Sequence, residues 1–229
     1  MASNLAIPKA IHLYDEGSKG IDFRALQIFI KKNFGKIPVK IIKLKDKAVQ
    51  AKGLIFDPLA TKESFDKFHR AGGKRFKTED LCHIVLTDRL IATYDEHKRL
   101  QIRAAAYGYP SVISLPGIVE GPAKPKDYYI YKDKFTKLGV LVLEEPEVKR
   151  KFKSRFIDYG DKRINEALKG YVSQALFFYM TGEPFCEQKK CRLFNSHWQE
   201  DLIYSQVRVG KFCPSHEKIL IKVRSLERS

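Results

Sequence analysis

The stretch Cys186–His216, CEQKKCRLFNSHWQEDLIYSQVRVGKFCPSH, holds three of the four cysteines of the 229-residue chain. Their spacing is Cys186-x4-Cys191-x21-Cys213-x2-His216. Two close pairs about twenty residues apart let a loop and a turn bring four soft ligands around one tetrahedral Zn²⁺. Four protein ligands leave no position for water, so the spacing predicts a structural ion rather than a catalytic one.

The spacing alone does not determine the fourth ligand. His197 or a water molecule could replace His216 as the fourth ligand, and the cysteines could instead be separate buried thiols. Cys82 stands alone before an apolar segment and is predicted to be a buried thiol. We expect one zinc ion in a C-terminal knuckle that comprises residues 183–220.

Composition places the chain among globular proteins. Apolar residues make up 44% of it and charged residues 31%. The length suits a single domain, residues 1–229, with a sizeable core. No apolar run approaches the roughly 20 residues that span a bilayer, and the N-terminus does not resemble a signal peptide. With cysteines at metal-ligand spacing, we expect reduced thiols, a cytoplasmic location and no membrane contact.

The charge is strongly unbalanced, with 43 Lys and Arg against 27 Asp and Glu and a formal net charge of +16. Such a field attracts phosphate backbones, so RNA or a ribonucleoprotein is one candidate partner. The basic residues are spread along the chain, as in KKNFGKIPVKIIKLKDK, HRAGGKRFK and EVKRKFKSR. A lysine-rich surface that only contacts solvent is the alternative, because no arrangement matches a known nucleic-acid-binding module.

The N-terminal segments predict a β-α-β unit. Ala10 to Tyr14 reads as a strand, and Asp22 can cap a helix that ends at Gly35. The apolar face of this helix consists of Phe23, Leu26 and Ile30. Residues 37–44, IPVKIIKL, read as the second strand, which places the helix on one face of a sheet.

Later segments continue the alternation of strands and helices. Further strands are predicted at residues 83–90, 111–115 and 138–145, with a Gly/Pro-rich loop after the second of them. A short helix is predicted around residues 64–69 and a loop over 70–80. The expected fold class is α+β, with a mixed β-sheet flanked by helices and a C-terminal Cys-rich zinc knuckle.

The longest predicted helix lies directly before the cysteine cluster. Asp161 can cap it, and Gly182 stands at its C-terminal stop. Apolar residues recur at three- and four-residue steps and share one face: Ile164, Leu168, Tyr171, Val172, Ala175 and Tyr179. This pattern predicts a core helix packed against the sheet.

GEPFCEQKKCRLFNS and FCPSH resemble the C-terminal signature of the archaemetzincin family of zinc metallopeptidases, H-E-x-x-H-x-x-G-x-x-H-C-x4-C-x-M with a distal C-x-x-C. Gly182 matches the glycine of the signature, the three clustered cysteines match structural cysteines, and His216 replaces the fourth. HIVLTDRL and PSVISLPGI are more loosely similar to two strands of the family. The resemblance implies a metzincin-like (zincin-like) fold.

The catalytic half of the signature is missing. The zinc histidines fall on Ala175, Tyr179 and Phe185, and the glutamate that polarises the metal-bound water falls on Leu176. The methionine of the signature falls on Leu193. The side chains of alanine, leucine, tyrosine and phenylalanine cannot take over these roles. H-E-x-x-H occurs nowhere else in the chain, so we expect no catalytic residues and no proteolysis.

Other polar groups are candidates for a substitute metal site. In HWQED, His197 and Glu200 would share one side of a helix with Asp201 nearby, but no third ligand is evident, so we expect a polar loop or helix surface beside the zinc knuckle. Asp88 and Arg89 follow a strand and could line a remaining groove or form a salt bridge with each other.

Two classes of function therefore stand. The first is a non-catalytic zinc-binding protein whose cleft edge or basic surface binds a partner, either an extended peptide at a strand edge or a ribonucleoprotein. The second is an atypical zinc metallopeptidase with ligands recruited from elsewhere, with His83, His97 and His197 as candidates.

Overall fold

The computed structural model describes residues 5–44, 80–137 and 145–226. The predicted helix at 64–69, the loop over 70–79 and the strand positions 138–144 lie outside these ranges. The N-terminal β-α-β prediction is confirmed by strand β1 (Ala10–Glu16), helix α1 (Phe23–Phe34) and strand β2 (Val39–Lys43). The Asp22 carboxylate accepts a hydrogen bond from the Ala25 N–H at 2.8 Å and so caps α1.

A mixed five-stranded sheet forms the centre of the fold. It contains β3 (Leu81–Thr87), β6 (Ala105–Ala106) and β7 (Ser111–Ser114) besides the first two strands, in the order β2-β1-β3-β7-β6. All pairs are parallel except β6–β7 at one edge. Strands β4 (Ile91–Tyr94) and β5 (Leu100–Arg103) form a separate antiparallel hairpin.

The two faces of the sheet bury different side chains. Ile11, Leu13, Ile84 and Leu86 point to the face that packs against α1 and the long helix α5 (Ile164–Thr181). The opposite face carries a smaller cluster around Tyr14, whose hydroxyl lies 3.0 Å from His83 Nδ1. This alternation follows from the two-residue period of a strand.

Helices complete the chain order after the sheet. They are α2 (Leu115–Glu120), α3 (Lys126–Lys137), α4 (Glu145–Phe152), α5, α6 (Gln199–Leu202), a π-helical segment (Ile203–Val209) and α7 (Pro214–Leu226). No helix among the described residues is long and apolar enough to cross a membrane.

Helix α2 corrects the prediction of a strand through Leu115 and a Gly/Pro-rich loop after it. Ser114 ends β7 and caps α2, because its hydroxyl accepts a hydrogen bond from the Gly117 N–H at 2.9 Å. Pro116 stands in the first turn, where a missing N–H costs no helical hydrogen bond. Gly117 is required by packing, since a Cβ there would overlap the carbonyl oxygen of Arg103.

Helix α5 is a core helix, as predicted, but its start differs. The residue at its N-cap is Arg163, which forms no side-chain cap, and the Asp161 carboxylate accepts the Arg163 N–H at 2.9 Å. Asp161 also binds the Arg163 guanidinium, so it organises the turn before the helix instead of capping the helix itself. The helix ends at Gly182 in the left-handed conformation, φ 80°.

Gly170 lies in the middle of α5 and allows the π-helical segment to approach closely. A Cβ at this position would overlap the side-chain amide of Gln206, which is itself buried. The Gln206 Nε2 donates to the Arg192 carbonyl at 2.6 Å. A glycine inside a helix costs about 1 kcal/mol relative to alanine, and the close packing of this amide offsets that cost.

Gly170→Ala is therefore expected to lower the free energy of unfolding by about 1–3 kcal/mol, because the added methyl displaces Gln206. Urea denaturation measures this change. Gly108→Ala is the control, since its Cβ would meet the Pro110 carbonyl oxygen at 3.5 Å, an ordinary contact. The double variant Gly170→Ala/Gln206→Ala should lose less free energy of unfolding than the two single variants lose together. A Gly170→Ala protein as stable as the parent would contradict the packing.

Candidate metal centre and remnant cleft

The polypeptide after α5 forms a loop that presents two cysteines. The Cys186 N–H donates to the Leu193 carbonyl at 2.9 Å, and the Cys191 N–H donates to the Gln188 carbonyl at 2.8 Å. These two bonds close the loop with both side chains on its inner side. The four residues between Cys186 and Cys191 are therefore enough to form the turn that brings the two cysteines together.

The start of α7 presents the other two predicted ligands. Cys213 directly precedes the helix, and Pro214 is its first residue. The Glu217 N–H donates to the Cys213 carbonyl at 2.9 Å, so His216 lies in the first turn, near Cys213. The spacing of three residues therefore brings the thiol and the imidazole to the same side.

The structure brings all four residues together. One ligand atom from each of Cys186, Cys191, Cys213 and His216 lies within 4.8 Å of every other. The Cys186 and Cys213 sulfurs are 3.9 Å apart, Cys191 Sγ is 3.7 Å from His216 Nδ1, and Cys213 Sγ is 3.0 Å from the same nitrogen. A tetrahedral zinc ion with bonds of about 2.3 Å to sulfur separates its ligands by roughly 3.7 Å, so the cluster fits such an ion.

Backbone donors also point at the sulfurs. The Gln188 N–H lies 3.4 Å from Cys186 Sγ, and the Cys213 N–H lies 3.4 Å from Cys191 Sγ. Hydrogen bonds of this kind favour the thiolate form, which is the form that binds a metal.

The electrostatics of the cluster favour a bound cation. Burial raises the pKa of the Cys191 thiol to about 12, and neighbouring thiols add to the effect. Burial likewise raises the pKa of Cys186, while burial lowers the pKa of His216 and so favours the neutral, metal-binding imidazole. Three thiolates crowded in a partly dry site repel each other, and a divalent cation removes that repulsion.

The cluster is attached to the core. Cys191 and Cys213 are buried, and four protein donors are the number that fills a tetrahedral zinc shell. The His216 ring packs edge-on against Phe177 of α5, with ring centres 5.2 Å apart. The buried Arg192 guanidinium donates to the Gly210 carbonyl at 2.6 Å and to the Glu166 carbonyl of α5 at 3.3 Å.

The positions that correspond to catalytic ligands hold no metal-binding group. Ala175, Leu176 and Tyr179 are buried in the main core, and Leu193 is fully buried beside the cluster. Phe185 is 41% exposed and stacks edge-on against Tyr107 at 5.6 Å. A catalytic zinc ion of the kind that the archaemetzincin resemblance implies does not fit these side chains.

A cleft of about 210 Å³ remains beside α5, near the edge strand β6. Its floor includes a hydrogen-bonded pair, because the Tyr107 hydroxyl donates to Gln174 Oε1 at 2.6 Å. Burial raises the pKa of the Tyr107 phenol, so this group is a hydrogen-bond donor and not a base. Phe185 and Ile102 expose apolar surface at its rim.

The alternative polar groups are separated in the structure. His197 lines the cleft, outside the four-residue cluster, and it precedes α6 instead of lying on it. Glu200 binds Arg155 at 2.8 Å, and Asp201 forms an ion pair with Lys189. His197 and Glu200 therefore do not share one side of a helix, and both are exposed polar residues beside the cysteine cluster, as expected.

Asp88, Arg89, His83 and His97 do not extend the site either. Arg89 pairs with Glu16 at 3.0 Å rather than with Asp88, and neither residue is part of the cleft lining. His83 is buried in the sheet beside Tyr14, and His97 is exposed on the β4–β5 hairpin. Within the described ranges, the Cys3His cluster is the one group of three or more metal-binding side chains.

Cys82 is a buried thiol in the main core, as predicted. Several residues that matter were not identified from the sequence: Gly170, Gln206 and Arg192, which connect the knuckle to α5, and Tyr107 and Gln174 in the cleft. The glycine inside an otherwise apolar helix was the only local signal for this set.

Cys191→Ser and Cys213→Ser are expected to lower the melting temperature by at least about 10 °C and to remove bound zinc, because metal binding contributes to folding. Thermal denaturation and elemental analysis measure both effects. Cys82→Ala is the control, since it removes a buried thiol outside the cluster. It should shift the melting temperature by a few degrees and leave the zinc content unchanged. A Cys191→Ser protein with the same melting temperature as the parent would contradict a structural metal site.

Comparisons with known proteins identify a similar fold and a family. The fold is similar to the crystal structure of archaemetzincin from Methanopyrus kandleri, with a TM-score of 0.55 and 11% sequence identity over 94% of this chain and 95% of that chain. At this identity the similarity concerns the fold alone. A search of curated proteins found no match.

A family profile covers most of the chain. The profile described as "Probable metallopeptidase family (DUF6775)" matches residues 30–223, which include four of the five strands of the central sheet and the cysteine cluster. This chain belongs to the probable metallopeptidase family DUF6775 and has an archaemetzincin-like fold with a Cys3His cluster that can hold a metal ion.

Proposed function

We propose that this protein is a zinc-stabilised, non-proteolytic member of its family that acts as a binding module. The observation that carries the proposal is the set of side chains at the catalytic positions. Ala175, Leu176 and Tyr179 are buried in the core, where they offer no ligand and no general base. Among the described residues that line the cleft, no nucleophile, base and orienting group stand in register to replace them.

The ion in our proposal is a single structural zinc. Three thiols and an imidazole are the donor set that zinc prefers, and the four protein ligands exclude a substrate. The thiols bind metal only when they are reduced, which supports a reducing compartment such as the cytoplasm as the site of action.

An extended peptide is the partner that we propose for the cleft. Strand β6 has one neighbour, β7, within the described part of the sheet, so its other edge can pair with an added strand. Phe185 and Ile102 offer apolar contacts beside it, and Asn195 and His197 offer exposed polar groups. A peptide held here meets no activated water and stays intact.

The atypical metallopeptidase remains the competing function. It requires a second metal held by histidines such as His83, His97 or His197. These residues lie in the sheet, on the hairpin and in the cleft respectively. His83 has His12 beside it, with ring centres 5.5 Å apart, but none of the three belongs to a group of three or more metal-binding side chains in the described ranges. This separation favours the non-proteolytic proposal.

We expect protein purified without chelator to contain one zinc per chain and to leave a mixture of fluorogenic peptides uncleaved. The same mixture, immobilised, should retain the protein, and Phe185→Ala should weaken this retention. Tyr94→Ala is a matched control, because it removes another exposed aromatic ring on the hairpin. Two zinc ions per chain, or peptide hydrolysis that a chelator abolishes, would overturn the proposal.

A further inference from the structure

A second cavity, of about 940 Å³, lies between α4 and the segment that leads to α5. Its lining contains five basic residues and two acidic ones: Lys149, Arg150, Lys153, Lys162 and Arg163 against Asp158 and Asp161. The basic stretch EVKRKFKSR thus contributes most of its cations to one concave surface. We call this surface the basic groove.

The carboxylates of the basic groove are already occupied. Asp161 binds the Arg163 guanidinium, and Asp158 lies 3.3 Å from Lys149 Nζ. Arg163 also donates to the carbonyls of Ser154, Lys153 and Phe156, so its charge is held at the floor of the groove.

Two lysines remain available in the basic groove. Lys153 and Lys162 are exposed, and neither side chain forms a hydrogen bond or an ion pair within 4 Å with the described residues, although the Lys153 charge interacts with Asp161 at longer range. Arg150 adds a third exposed cation, which among the described residues pairs with the exposed Glu147 at 3.4 Å. Ammonium groups of this kind bind phosphate oxygens as point charges.

An aromatic ring lies next to these lysines. Tyr159 lines the groove and is 59% exposed. The Glu120 carboxylate lies close enough to its hydroxyl to affect the pKa of the phenol. Burial, together with the negative charge of Glu120, raises the pKa of this phenol, so the ring stays neutral.

We propose that the basic groove binds single-stranded nucleic acid, with Lys153 and Lys162 on the phosphates and Tyr159 stacked against a base. A charged groove that follows the backbone, combined with aromatic rings for stacking, is the arrangement that binds single strands without sequence preference. An acidic protein would use the lysines but gain little from an exposed aromatic ring. The net charge of +16 steers such a polyanion toward the protein. This inference does not depend on the function proposed for the cleft.

Fluorescence anisotropy with a labelled 12-nucleotide uridine-rich RNA between 50 and 200 mM salt tests the proposal. Lys153→Ala/Lys162→Ala should weaken binding at least tenfold at 100 mM salt. It should also reduce the slope of log affinity against log salt by about 1.4, because each phosphate contact contributes about 0.7 for single strands. The control Lys40→Ala/Lys222→Ala removes two exposed lysines elsewhere and should change affinity no more than about twofold.

Tyr159→Ala separates stacking from charge. It should weaken binding about fivefold or more with the salt slope unchanged, whereas Tyr159→Phe should bind nearly as the parent does. The proposal is overturned if the RNA does not bind at 50 mM salt or if both double-lysine variants weaken binding equally. Equal binding of polyglutamate, with no effect of Tyr159→Ala, would also overturn it. Zinc content and melting temperature should be unchanged in all these variants, which keeps this test independent of the zinc site.

Discussion

A helix that is buried on most sides must be covered on most sides, and this constraint organises the described part of the fold. Twelve of the eighteen residues of α5 are buried, far more than one face of a helix provides. The parallel strands and α1 cover part of it. The C-terminal segment has to cover the rest, so the fold depends on how firmly that segment is held.

The C-terminal segment has little regular structure with which to hold itself in place. Between α5 and α7 it contains one helical turn and a π-helical stretch, and the remainder is loop. The Cys3His cluster brings its two ends together, and Arg192 and Gln206 connect its middle to α5. A metal bound there would contribute to the packing of α5 as well as to the local loop. At the positions that the archaemetzincin resemblance assigns to catalysis, α5 carries Ala175, Leu176 and Tyr179, which pack in the core.

The features that could be predicted from the sequence are those with a local signal. The clustering of three cysteines and His216 follows from two short spacings, and the N-terminal β-α-β unit follows from hydrophobic periodicity and from the helix cap at Asp22. Helix α2 could not be predicted in this way, because its glycine and proline suggested a loop although Ser114 caps a helix. The contact that requires Gly117, with the carbonyl of Arg103, joins segments that no local pattern connects. The cleft could not be predicted either, because its lining comes from elements far apart in the chain. The basic groove is lined by residues 146–163 alone, but its concave shape depends on how α4 packs beside the segment that leads to α5, which no local pattern shows.

X-ray absorption at the zinc edge tests the central claim most directly. On protein purified without chelator, the account predicts three sulfur ligands at about 2.3 Å and one nitrogen ligand at about 2.0–2.1 Å, with no bound water. A first shell dominated by nitrogen and oxygen would contradict it, because it would place the metal among histidines and water rather than in the cysteine cluster.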